Sequence, residues 1–112
     1  KRTGQQIAVE DLADLTSLNA TDKGISDLSG IELCSNLTYL DLWNNQISDV
    51  SPLASLTNLN SLNLMNNQIS DVSSLASLTN LTWLYLGGNP LSQESIDIHV
   101  PNLKSQGVDV NH

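Results

Sequence analysis

The sequence predicts an α/β repeat solenoid: a stack of coils with a short parallel sheet along one side and a helical cap at its N-terminal end. The first observation behind this is a period, since "LTYLDLWNNQISDV" from Leu37 returns 22 residues later as "LNSLNLMNNQISDV" from Leu59. The second is an apolar pattern that no helix period fits. Positions 1, 4, 6, 11, 14, 17 and 20 are apolar in the first three periods, and the second copy shows Leu37, Leu40, Leu42, Ile47, Val50, Leu53 and Leu56. The third is length, because 112 residues bury one continuous core and not two. One coil of this kind cannot bury its own leucines, whereas a stack of them can.

The elements follow in chain order within a single domain. Residues 1–14 form the N-terminal cap, in which "VEDLADL" (Val9 to Leu15) places Val9, Leu12 and Ala13 on one side and its acids towards water, as a short helix over the first coil does. Four repeats span 15–36, 37–58, 59–80 and 81–102, the first and last degraded as terminal copies are. In each, the opening "LxxLxL" alternates as a strand, with Leu40 and Leu42 inward and Tyr39, Asp41 and Trp43 outward. Asn45, Asn67 and Asn89 then recur where the chain leaves the strand. They are expected to form a buried ladder of amides that satisfies backbone groups facing the interior, with Lys23 interrupting it in the first copy. Asn66, one residue earlier and outward, is expected to tolerate alanine. Asn36, Asn58, Asn80 and Asn102 suggest a second polar ladder at the other turn. The C-terminal cap, 90–112, reads as a helix near Gln93 to Ile98 and a last edge strand at Val108 to Val110, where Asp109 discourages pairing with another chain.

The repeat "LTYLDLWNNQISDVSPLASLTN" fits the pattern LxxLxLxxNxIxDxxxLxxLxx and is similar to the 22-residue leucine-rich repeat of bacterial proteins, the internalin-like class. The similarity runs in register from Leu15 to about Leu91. It implies a curved solenoid with strands on the concave face and short 3₁₀ turns on the convex face. It also implies a role in binding other macromolecules and a secreted or cell-surface location.

Composition narrows the function further. Twelve acidic residues against four basic ones give a net charge of −8, and the cations are scattered at Lys1, Arg2, Lys23 and Lys104. Nucleic acid and anionic lipid are poor partners for such a surface. Membrane insertion is not expected, because the apolar runs fall far short of the ~20 residues a span needs, and no signal-peptide pattern opens the segment. An enzyme is not expected either. His99 and His112 sit in no catalytic spacing, "GGNP" at Gly87 lacks the lysine of a phosphate loop, and Cys34 occupies a leucine position of the core. Asp27, Asp49 and Asp71 stack at position 13 of the repeat. At coil spacing they could share a calcium ion, but their place before a turn reads better as caps on following N–H groups. No metal or cofactor is expected.

Copies two and three differ at five of 22 positions, and four of these, positions 2, 3, 5 and 7, lie on or beside the exposed side of the strand. Every aromatic of the chain falls there: Tyr39 and Trp83 at position 3, Tyr85 at position 5, Trp43 at position 7, with Met65 equivalent to Trp43. Half exposed, four such rings would leave about 300–500 Å² of apolar surface bare, as much as a monomer usually tolerates. The candidate ligand-binding residues are therefore Tyr39, Asp41, Trp43, Asn44, Asn63, Met65, Asn66, Trp83 and Tyr85. The expected occupant is a protein or peptide and the expected state a monomer. Carbohydrate binding, with rings stacked on sugars, is the alternative a glycan array separates. A self-associating spacer is the alternative light scattering separates. Cross-strand packing of the rings on one another is the reading that needs no ligand.

Overall fold

The computed structural model describes residues 13–112. Five short strands, β1 (Ser17–Asn19), β2 (Tyr39–Asp41), β3 (Ser61–Asn63), β4 (Trp83–Tyr85) and β5 (Asp109–Asn111), form one parallel sheet in chain order. The repeat sets the register: Ser17 pairs with Tyr39, Tyr39 with Ser61, and Ser61 with Trp83, each one period apart. The last pair, Trp83 with Asp109, spans a coil four residues longer than the others. A helix there replaces the compact return segment.

The strands line the concave side of a leucine-rich repeat solenoid, and short 3₁₀ turns at Ile31–Leu33, Ser51–Ser55 and Ser73–Ser77 return the chain on the convex side. Between the two faces runs one apolar column. All seven apolar positions of the second copy, from Leu37 to Leu56, are buried, as are their equivalents in the third, from Leu59 to Leu78. Cys34 continues the column as expected, its thiol pKa raised by burial.

The ends behave differently. Ala13 and Asp14 are helical, while Val9 to Leu12 of the expected N-terminal helix lie outside the described residues. Leu15, Leu18, Ala20, Ile25 and Ile31 of the first coil are only partly buried, and a mainly apolar recess opens between Leu18, Ala20, Ile25, Leu28, Ile31 and Leu42. At the other end the helix runs past the expected Ile98. A π-helical segment, Ser95–His99, continues into the α-helix Val100–Ser105 (α1). The Val100 N–H bonds the Ser95 carbonyl, an i→i−5 step, and the ladder changes pitch beside Pro101, which has no N–H to lose. Asn102 consequently lies in α1 and does not extend the second asparagine ladder. That ladder holds in the other three coils, where the Asn36, Asn58 and Asn80 amides donate to the carbonyls of Ala13, Ser35 and Thr57.

Candidate functional site

What the strands show to solvent depends on what happens directly after them. Position 8 of each repeat, occupied by Asp22, Asn44, Asn66 and Gly88, has a left-handed backbone, with φ of 56°, 61°, 58° and 76°. Asp, Asn and Gly are the residues that tolerate this region, so the four identities are explained by the turn alone. Gly88 is bound most tightly to its place, because a Cβ there would lie 2.0 Å from Oδ1 of Asn66. Asn44 also reaches the previous coil, its Nδ2 donating to Asp22 Oδ1 at 3.1 Å. The expectation that Asn66 tolerates alanine is therefore corrected, since a Cβ without a compensating amide is strained at this φ.

The next residue turns inward. Asn67 is buried, its Nδ2 donating to the Leu42 and Leu64 carbonyls at 3.0 Å each and its Oδ1 accepting the Ile47 N–H at 3.0 Å. Asn45 repeats this geometry with Ala20, Leu42, Lys23 and Ile25, and Asn89 with Leu64, Leu86, Asn67 and Ile69. The amide ladder holds the strand-to-return turn of each coil to its neighbour. Left-handed residue and buried amide together make the strand end a rigid rim.

On that frame, two rows of side chains face outward across the sheet. The first row is Ser17, Tyr39, Ser61, Trp83 and Asp109, and the second is Asn19, Asp41, Asn63, Tyr85 and Asn111. Trp43, Met65 and Gly87 follow at the rim, where Met65 Cε lies 3.5 Å from the Cβ position of Gly87. Tyr39 and Trp43 are each 39% exposed and Trp83 is 47% exposed, while Tyr85 and Met65 are half-buried.

Polar contacts within the face are few and specific. Asp41 Oδ2 accepts the Tyr39 hydroxyl at 3.2 Å, and Asp41 Oδ1 accepts the Trp43 N–H at 3.0 Å. Asn63 repeats the second contact, accepting the Met65 N–H at 3.0 Å. The Tyr39 phenol pKa is raised, first by desolvation, then by the Asp41 carboxylate and its hydrogen bond, and last by Tyr85. Tyr39 and Asp41 are joined by their hydrogen bond, and Tyr85 stands in the same row as Asp41, two strands on. Asn44 and Asn66 stand at the margin of the face with a turn role of their own. Thr38 and Thr82 at position 2 also have backbone duties, donating to the Thr16 and Asn60 carbonyls at 3.1 and 3.0 Å.

The convex acids are turn caps. Asp27, Asp49 and Asp71 each accept, at 2.9 Å, the N–H of the serine two residues on. Hydrogen bonds from those serines lower all three carboxylate pKa values. Among the described residues no three His, Cys, Asp or Glu side chains are grouped to hold a metal ion. No helix among them is long and apolar enough to cross a membrane.

Two family descriptions match the sequence: Leucine Rich repeats (2 copies) over residues 35–77 and Leucine Rich Repeat over 80–103. No curated protein sequence matches. Among solved structures, the chain is similar to an internalin (inlF) from Listeria monocytogenes at 36% identity and a TM-score of 0.80, covering 94% of this chain and 30% of that one. It is similar to a leucine-rich repeat protein of Leptospira interrogans at 26% identity and a TM-score of 0.79, covering 96% and 28%. Internalin C2 of Listeria monocytogenes follows at 28% identity and a TM-score of 0.60, covering 94% and 54%. The chain therefore spans less than a third of the first two proteins and about half of the third.

Proposed function

This chain is a leucine-rich repeat protein of the bacterial internalin-like class, and we propose that it is a non-enzymatic module binding a protein or peptide on its concave sheet. Leucine-rich repeat proteins typically mediate contacts with other proteins. The observation that carries the reading here is the division of labour within the repeat. Fixed positions serve the column, the amide ladder and the left-handed turn, whereas positions 3, 5 and 7 vary and hold every aromatic side chain.

Exposed aromatics suit this purpose because they bring large contact area with few rotamers to freeze, and such residues dominate binding at protein interfaces. Trp43, Trp83, Tyr39 and Tyr85 are the anchors, Met65 is an adaptable apolar contact, and Asp41 and Asn63 are polar contacts. Asn44 and Asn66 frame the rim. A secreted or cell-surface setting and a monomeric state belong to the same proposal.

The test is interface mapping with a partner selected on the wild-type chain from a displayed library of proteins and peptides. Replacing Trp43 and Trp83 by Ala should weaken that partner roughly a thousandfold if two anchors each contribute about 2 kcal/mol or more. Selected binders that keep full affinity for the double variant would place the face elsewhere. Binding confined to glycans on an array would favour the carbohydrate reading.

A further inference from the structure

The outward side chains are not evenly distributed across the sheet. β3 presents the small residues Ser61 and Asn63, while its two neighbours present Tyr39 and Asp41 on one side and Trp83 and Tyr85 on the other. At strand spacing, the flanking backbones lie about 9.6 Å apart, so a trough one side chain wide runs over β3 between aromatic walls. One wall holds a carboxylate. Asp41 uses one oxygen on the Trp43 N–H and the other on the Tyr39 hydroxyl, which leaves lone pairs on both oxygens for further donors.

Charge favours one kind of guest. The outward rows hold Asp41 and Asp109, and the described residues on them include no lysine or arginine. A planar guanidinium matches this setting, since it stacks on tyrosine or tryptophan faces and donates in a fork to a carboxylate. Resting on the proposed use of the concave sheet, the geometry points to a basic partner segment whose arginine side chain sits in the trough over Ser61 and Asn63, between the Tyr39 and Tyr85 rings and against Asp41. Lysine fits less well, because an ammonium neither stacks as a plane nor forks.

The repeat itself provides a conservative test. Asn63 occupies the position of Asp41 one coil later and makes the same turn contact, to the Met65 N–H. Asp41→Asn therefore keeps the turn and removes the charge, and Asn63→Asp adds a second carboxylate to the trough. The probe is a short arginine–serine peptide, titrated into isotopically labelled full chain and compared with the same peptide carrying the neutral isostere citrulline. Cation–π and ion-pair contributions at a half-exposed site predict roughly threefold to tenfold tighter binding of the arginine peptide. The expected result is that its shifts fall on the Tyr39, Asp41 and Tyr85 signals, that the preference shrinks to the cation–π share in Asp41→Asn, and that it grows in Asn63→Asp. Equal shifts from both peptides on the concave face would overturn the inference while leaving the proposed use of that face intact. Shifts confined to the convex acids, or none with either peptide, would also overturn it.

Discussion

Asn66 and Asn67 are the same amino acid with opposite surroundings, and the difference decides what each contributes. Asn67 is buried and bonded to four backbone groups at 3.0–3.3 Å, so Asn67→Ala should cost about 1–3 kcal/mol through the groups left unpaired. A shift in the urea midpoint measures it, and an unchanged midpoint would mean the ladder is not stabilising. Asn66 is exposed at a φ of 58°, and alanine there meets left-handed strain of about 1–2 kcal/mol, whereas glycine, already present at the equivalent Gly88, should be close to neutral. The ladder was legible in the sequence because an asparagine every period has few uses in a solenoid interior. The left-handed turn was written there too, as Asp22, Asn44, Asn66 and Gly88 in one column. An exposed asparagine beside an aromatic, however, looks identical whether it serves a ligand or a turn. The acid column gives a further residue-scale prediction. Asp27, Asp49 and Asp71 titrate below their ordinary 3.8 in the folded chain, so they bind protons less readily folded than unfolded. Their contribution is present above about pH 4 and is lost as the pH falls through the folded values. Stability measured by urea between about pH 5 and about pH 2 should fall less steeply when all three are alanine. An unchanged slope would assign the acid sensitivity to other carboxylates.

The strands followed from the repeat and the 3₁₀ turns from the family resemblance, and each pairs with or packs on its own image one coil away, so a pattern that works once works again. The terminal helix has no such image. The expected end near Ile98 fell short of Pro101, a residue that ordinarily disfavours helix at itself and at the position before it. The π-helical widening at Ser95–His99 removes that objection by changing the hydrogen-bond step beside the proline, a solution no local sequence rule indicates. The same element hides a buried contact. Ser95 is fully buried, and its hydroxyl accepts the Val72 N–H at 3.1 Å, closing the last convex turn against the cap. Ser95→Ala should leave that N–H unpaired and cost about 1–3 kcal/mol, read as a lower urea midpoint with normal helix content by circular dichroism. A midpoint matching wild type would show that water replaces the hydroxyl.

At the scale of the whole molecule, the leucine column, both asparagine ladders and the left-handed rim all lie outside the aromatic rows. The fold thus has an independent account that does not call on Trp43 or Trp83. Its face can change from repeat to repeat, as Tyr39, Asp41 and Trp43 became Ser61, Asn63 and Met65, without disturbing the coil beneath. Folding and recognition are thus carried by separate sets of residues. The measurement that tests this separation most directly is the unfolding free energy of the Trp43→Ala/Trp83→Ala double variant, set beside Leu62→Ala in the fully buried column. The leucine change should cost about 2–5 kcal/mol and the double tryptophan change less than about 1 kcal/mol. A loss from the tryptophan pair as large as that from the leucine would mean that the rings hold the solenoid together, and would contradict the account.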